Sequence, residues 1–361
     1  MKINNLPFAL INWDNEHYTF NKIDSYDRVM NMIISFRGSG KSTSANVLKL
    51  YAGYLSGTPW IVFRRLKVHL NEEYINSIQG TINKFLKEPI EFTYKKGDIK
   101  SGEVDVYVGE KLFCRFIALS CELSMIKSYF VKNCGGILFD EFICDMRMGE
   151  KYLKNEYFKF QEIYTTYCRE AKRKLKCYLV GNPYSLYNPY FLNLGISPAK
   201  LKCGEIYAPK NKMYVVEWYE GKESLKKKIE EKNPFLTQDE SYREYALNGV
   251  NVDDKDIKLV PIHPRAFKLK QVYFVENQNI GIYENTTGKG DLYYWAELID
   301  VDKITRDVYC LSINDLSSNR IALSISDLRD NRSLATAMRL RHFGFKNIEA
   351  YYLFLEIYKL L

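Results

Sequence analysis

Hydrophobic positions in this chain gather in short runs, each closed by glycine, proline or charge, and the runs alternate with stretches of helical spacing. "RVMNMIIS" (Arg28–Ser35) is a β-rich run that ends at a glycine-rich turn. The "KSTSANVLKLYAGYL" behind it sets Val47, Leu48, Tyr51 and Leu55 along one side of a predicted helix. "PWIVFRR" (Pro59–Arg65) reads as a second buried strand, and "EVDVYVGEKLFCRFIAL" as two alternating strands around Gly109 and Glu110, a hairpin. "GGILFDEF" (Gly135–Phe142) and "LKCYLVGNP" (Leu175–Pro183) are further apolar runs, with helix-compatible residues at roughly 149–172 between them.

Strands alternating with helices predict an α/β fold, a mostly parallel sheet with helices on both faces. Ligands of such sheets bind beyond the carboxyl ends of the strands. The loop after Ile34, Asp140-Glu141 after Phe139, and Asn182 after Val180 all hold positions of that kind. The pattern changes after about residue 205. "GKESLKKKIEEKNPF" is a charged helical stretch closed by Asn233-Pro234, and from Val272 short strands ("VYFVE", "IGIYE", "DLYYWAEL", "VYCLS", "IALSI") precede two helices. The expected organisation is residues 1–204, a helical linker or subdomain at 205–265, and an α+β domain at 266–361, its core closed by the last helix, "NIEAYYLFLEIYKLL".

Composition narrows the classes. Hydrophobic residues make up 46% of the 361, enough for sizeable cores and against wholesale disorder. No apolar run reaches the roughly 18 residues of a membrane span, and "MKINNLPFALINWD" does not read as a signal peptide. The eight cysteines show no C-x-x-C pair, which argues against zinc and for reduced thiols. Of the net charge of +8, all lies in residues 1–250, with 37 Lys+Arg against 29 Asp+Glu; a polyanionic partner is expected there. None of His17, His69, His263 and His342 sits in a catalytic or ligand motif, and the 29 tyrosines read mostly as core.

The chemistry begins at "SFRGSGKST", which approaches the phosphate-binding pattern G-x-x-x-x-G-K-S/T with Ser35 in place of the first glycine. Gly38 and Gly40 let backbone N–H groups turn inward around phosphate oxygens, and the helix start adds its positive end. Arg37, Gly38, Ser39, Gly40, Lys41, Ser42 and Thr43 are the candidate ATP-binding residues, with Lys41 on the β- and γ-phosphates and the Ser42 hydroxyl on Mg²⁺. Ser35 matters most if its position needs positive φ. In "GILFDEF", Asp140 is the candidate second Mg²⁺ residue and Glu141 the residue that orients and deprotonates the attacking water. The pattern points to a P-loop NTPase domain in residues 1–204.

"YCREAKRKLKCYLVGNP" offers Asn182 either as a γ-phosphate sensor or as a turn residue before Pro183. Upstream, Arg169, Lys172, Arg173, Lys174 and Lys176 form a basic cluster. Arg169 is the candidate arginine finger supplied in trans; the others read as a solvated face or as contacts to nucleic-acid phosphates. Lys127 reads either as a further basic residue offered in trans or as an exposed lysine. Arg64 and Arg65 end the second strand, placed either to reach phosphate or to pair with the acids at Asp140.

The sequence resembles the DNA-packaging ATPases of the small protein-primed tailed phages over most of its length. The resemblance rests on "SYDRV", "RGSGKS", "RRLK", "KSYF", "ILFDEF", "CREAKRKLKCYLVGN" and "NPYFL" in this order and spacing. Members usually carry glycine at the Ser35 position, and the basic segment here has an extra residue, which leaves Arg169 and Arg173 both open as the finger. The resemblance implies a RecA/ASCE-like ATPase in a homo-oligomeric ring, a pentamer, that drives double-stranded DNA into a capsid. It also implies docking at the portal through a structured packaging RNA, action in the host cytoplasm and at the portal vertex, and a vestigial RNase H-like C-terminal domain that binds rather than cuts. A terminase that pumps and cuts, and a non-hydrolysing nucleotide switch, are the alternatives. A nuclease needs clustered acids, and Asp300, Asp302, Asp315, Asp327 and Asp330 are scattered.

Overall fold

The computed structural model of the protein describes residues 11–358 other than 14–15, 96–100, 123–130, 132, 146–149, 170, 172–173, 187, 198–199, 239–242, 244–245, 248–256, 276, 312, 325 and 328–330. The chain divides into two units, Met1–Val252 and Asp253–Leu361.

Apolar runs without alternation need cover on both faces, and the first unit provides it. Its sheet contains β1 (Met30–Ser35), β2 (Trp60–Arg64), β3 (Glu103–Val108), β4 (Lys111–Ala118), β5 (Ile137–Asp140), β6 (Cys177–Gly181), β7 (Ile206–Tyr207) and β8 (Tyr214–Tyr219). They lie in the order β3-β4-β2-β5-β6-β1-β8-β7. The six strands from β4 to β8 are mutually parallel, and β3 and β7 pair antiparallel at the two edges. β1, β2 and β6 are buried at every position. One core cluster, with Met32, Phe63 and Phe139, packs against the helix Glu156–Arg169 through Phe160 and Ile163. The other, with Ile33, Val62 and Val180, packs against the helix after β1 and the helix Glu72–Asn83. The predicted hairpin is β3–β4, turning at Gly109 with φ 61°.

The first sheet continues past residue 204, where a helical linker was expected. β8 lies beside β1 and in register with it, Met30 opposite Tyr214 and Ser35 opposite Tyr219. A fully buried β1 needs a partner for its backbone groups on each side, and "YVVEW" is apolar enough to serve. The charged stretch behind it is a helix, Glu223–Lys232, as its spacing predicts.

The second unit is built on β9 (Phe267–Val275), β10 (Gln278–Asn285), β11 (Tyr294–Leu298), β12 (Val308–Cys310), β13 (Arg320–Ala322) and β14 (Phe343–Phe345), in the order β13-β12-β9-β10-β11-β14. β9, β10 and β11 form an antiparallel meander; β12 joins β9 in parallel, β13 joins β12, and β14 joins β11. β14, three residues long, is too short to leave a periodic signal. The last helix, Ile348–Tyr358, closes this core with Leu353, Phe354 and Ile357.

Candidate functional site

β1, β5 and β6 run parallel with their carboxyl ends level: Ile34 lies opposite Gly181 and Asp140 opposite Val180. The segments leaving the three strands therefore meet at one edge. After β1 the chain turns through Gly38 (φ 90°) and Gly40 (φ 83°) into a helix that begins at Lys41. Both glycines are in the left-handed region and both are crowded. A Cβ at Gly38 would sit 3.0 Å from Ile229 Cδ1, and one at Gly40 would sit 2.5 Å from His17 Cδ2. The loop thus lies between the N-terminal segment and the helix Glu223–Lys232, which are joined by Lys228 donating to both oxygens of Glu16 at 2.6 and 2.7 Å.

Ser35 is still part of β1 and its φ is not positive. Its Oγ donates to the Tyr219 carbonyl on β8 at 2.6 Å. The position needs no glycine, because the loop's left-handed turns come later.

Lys41 is buried, and its Nζ donates to the carbonyls of Ser35 and Phe36 at 3.1 and 3.2 Å and to Asn182 Oδ1 at 2.6 Å. Burial pushes its ammonium down to about 8, with Asp140 and Glu141 pulling against it and Arg37 adding to it. Asn182 also donates from Nδ2 to the Tyr184 hydroxyl at 2.9 Å, so its amide is oriented at both ends. Ser42 Oγ donates to Asp140 Oδ1 at 2.9 Å. Burial, with Glu141 adding to it, raises the Asp140 carboxyl against the opposing pull of Arg64, Ser42 and Lys41.

Of the two arginines of "FRRL", only Arg64 takes the second of the two expected roles, pairing with the acids at Asp140. Arg64 places Nη2 2.7 Å from Glu141 Oε2 and Nη1 3.5 Å from Asp140 Oδ2. Its guanidinium lies 4.6 Å from the centroid of the Tyr74 ring. Glu141 itself has φ 61° and an exposed side chain. Its N–H donates to the Val180 carbonyl at 2.9 Å. Arg65 binds the main chain of the same turn and the buried Glu156.

Arg37 and Gly38 are exposed, Ser42 and Thr43 half-buried, and Ser39 buried with its Oγ unpartnered among the described residues. A buried orphan hydroxyl in a loop of inward-turned glycines suits a ligand rich in acceptor oxygens. The Ser42 hydroxyl beside the Asp140 carboxylate is a pair of hard oxygen donors, the kind Mg²⁺ takes.

The described residues of the basic cluster lie elsewhere in the first unit. Arg169 is exposed at the end of the helix Glu156–Arg169, and Lys174 and Lys176 precede Cys177, the first residue of β6. That is the amino edge of the sheet, about 10 Å or more from Lys41 at the usual rise per strand residue. Lys176 pairs there with Asp27 at 2.6 Å. None of these three joins the chain's own loop. Lys127, Lys172 and Arg173 lie outside the described residues.

Several contributors leave no local signal. Tyr74 under Arg64, Glu156 on Arg65, and His17 and Ile229 around the loop come from distant segments. Only the doubled arginine after a buried strand could have drawn attention to the acids' partners.

The model of the family described as podovirus DNA encapsidation protein (Gp16) matches residues 14–359. The DNA packaging protein of Bacillus phage phi29 is 26% identical over 337 residues, 91% of this chain and 93% of that protein. The DNA packaging protein of Bacillus phage B103 is 27% identical over 301 residues, covering 82% and 86%. A chain of the bacteriophage Phi-29 viral genome packaging motor assembly superposes with a TM-score of 0.65 at 22% identity, covering 96% of this chain and 99% of that one, and so shares its fold.

Proposed function

The chain belongs to the podovirus DNA encapsidation protein (Gp16) family, and from that premise we propose that it is a ring-forming ATPase that translocates double-stranded viral DNA into a preformed capsid. The observation that carries the reading is the meeting of Lys41, Asn182, Ser42, Asp140 and Glu141 at one sheet edge through direct hydrogen bonds and the Arg64 bridge.

In this reading the triphosphate of ATP takes over Lys41 from the carbonyls and amide that now accept from it. The loop N–H groups and the helix start hold the phosphate oxygens. Ser42 and Asp140 would hold Mg²⁺, which when bound neutralises phosphate charge. Glu141 orients and deprotonates water, its position fixed by Arg64. Asn182 senses the γ-phosphate, since its amide already bridges Lys41 and Tyr184. One strand, β6, separates the loop-bearing β1 from the acid-bearing β5, which supports the RecA/ASCE-like assignment. The order β11-β10-β9-β12-β13, antiparallel then parallel, supports an RNase H-like second unit.

Arg169 is assigned to a neighbouring subunit's site. At the amino edge it is remote from its own loop, and a finger supplied in trans can add about 10³–10⁵ in rate. That asks for a ring, proposed as pentameric, acting in the host cytoplasm and at the portal vertex through a structured RNA. Lys174 and Lys176 are left for phosphate backbone, which a motor indifferent to sequence should hold.

The test is ATP hydrolysis by the purified chain with duplex DNA over a range of protein concentrations, beside Glu141→Gln and Arg169→Ala. The expected result is a per-subunit rate that falls on dilution, and is lowered by about 10²-fold or more by either substitution. A rate unchanged by dilution and by Arg169→Ala would remove the shared site. DNA import surviving Glu141→Gln would favour a non-hydrolysing switch.

A further inference from the structure

We propose that Arg65, clamped by the buried Glu156, is the positioning residue that holds the Glu141 turn in shape, from the opposite face of the sheet to Arg64. The inference rests on the reading of Glu141 as the residue that prepares the attacking water.

Successive residues of a strand point to opposite faces, and Arg64, the last residue of β2, and Arg65, the residue after it, continue that alternation. Arg64 goes to Tyr74; the Arg65 guanidinium lies 5.6 Å from the Phe139 ring centroid and 5.0 Å from that of Tyr152. Arg64 therefore holds the Glu141 carboxylate, while Arg65 reaches its main chain. Nη1 of Arg65 donates to the Glu141 carbonyl at 3.1 Å and Nη2 to the Phe142 carbonyl at 2.7 Å. Two successive carbonyls gripped by one planar fork fix the orientation of the peptide between them.

That grip matters because Glu141 has a φ of 61°. A non-glycine residue stays in that region only when its surroundings over-determine it. The Val180 carbonyl fixes the N–H side of the turn and Arg65 fixes the carbonyl side.

Arg65 is in turn immobilised. Its Nε donates to Glu156 Oε2 at 2.8 Å, and the Glu156 side chain is fully buried. Leu153 N donates to the same oxygen at 2.9 Å, and the Tyr190 hydroxyl donates to Oε1 at 2.9 Å. A buried ion pair is a poor source of stability, because desolvation offsets most of the attraction. Its directional hold on the fork is what an apolar pair of equal volume would lack. Lysine could not replace it, since one ammonium cannot reach a carboxylate and two carbonyls in a plane.

The experiment compares Arg65→Lys, Glu156→Gln and Tyr190→Phe in the full chain. It measures kcat for ATP hydrolysis and Kd for a fluorescent ATP analogue, each alone and on a Glu141→Gln background. The expected result is a fall in kcat of about 10- to 10²-fold for the first two and about 2- to 5-fold for Tyr190→Phe, with Kd within about threefold of the parent. On the Glu141→Gln background none of the three should lower kcat further, because each acts through residue 141. Where Arg65→Lys or Glu156→Gln fails to fold, Tyr190→Phe, which removes one hydroxyl from the same network, carries the test. Parental kcat in folded variants, or a further loss of equal size on the Glu141→Gln background, overturns the proposal. If Glu141→Gln alone hydrolyses ATP at the parental rate, the reading beneath it falls instead.

Discussion

Both units lay parallel strands side by side within a sheet, and the side chains found there differ sharply. In the first, the tips of β1, β5 and β6 bring a lysine, two carboxylates, a serine and an amide within hydrogen-bonding chains of one another. In the second, β9 and β12 set Tyr273 opposite Tyr309, with ring centroids 5.8 Å apart. The Tyr273 hydroxyl donates to Gln271 Oε1 at 3.0 Å and accepts from Asn331 Nδ2 at 2.9 Å. Burial, with Tyr309 and Asp327 nearby, raises that phenol and keeps it neutral. Parallel pairing alone does not make a polar site; the side chains that end the strands do.

The contrast is broken most directly at Lys41. Lys41→Ala should leave less than about 1% of the parental ATP hydrolysis, since the loop loses its buried cation against the phosphates. Coupled-assay rates at saturating ATP check this, and near-parental turnover would remove the distinction between the two units. Asp140→Asn comes next. It should raise the Mg²⁺ concentration for half-maximal hydrolysis by about 10- to 100-fold, read from a Mg²⁺ titration at fixed ATP.

The second unit should answer in stability. Tyr273→Phe removes a hydroxyl that joins Gln271 and Asn331 and should cost about 1–2 kcal/mol. A thermal melt should fall by a few degrees while ATP hydrolysis stays as it was; a drop in hydrolysis would mean the tyrosines belong to the chemistry. The smallest effect on the nucleotide site is expected at Ser35→Gly. It loses the bond to Tyr219 and gains backbone freedom in β1, about 1–2 kcal/mol of stability together. Nucleotide Kd, measured by titration with the same fluorescent analogue, should move by no more than about twofold because φ at this position is already ordinary.

Residue patterns were enough to locate β1, β2, the β3–β4 hairpin, β5, β6 and the helix Glu223–Lys232, because long buried runs and charged helical spacing are local signals. They were also enough to bring Lys41, Asp140 and Asn182 to the ends of parallel strands. They did not reveal β8, whose apolar run could equally have begun a separate subdomain, or β14, which is too short for any period. They left Asn182 divided between a sensor and a turn, and the hydrogen bond from Lys41 now places its side chain among the site's polar groups.

Local patterns alone marked the candidate site: a glycine turn behind a buried strand, and acids and an amide after two more. Those are properties of neighbouring residues, fixed by backbone freedom and by where apolar runs stop. Which groups hold that chemistry in shape was decided only by the tertiary structure. Tyr74 beneath Arg64, Glu156 behind Arg65, and His17 and Ile229 against the loop glycines come from segments far apart in the chain. A buried charge acquires its partner from whatever the packed sheet brings to it, and no local pattern records that encounter.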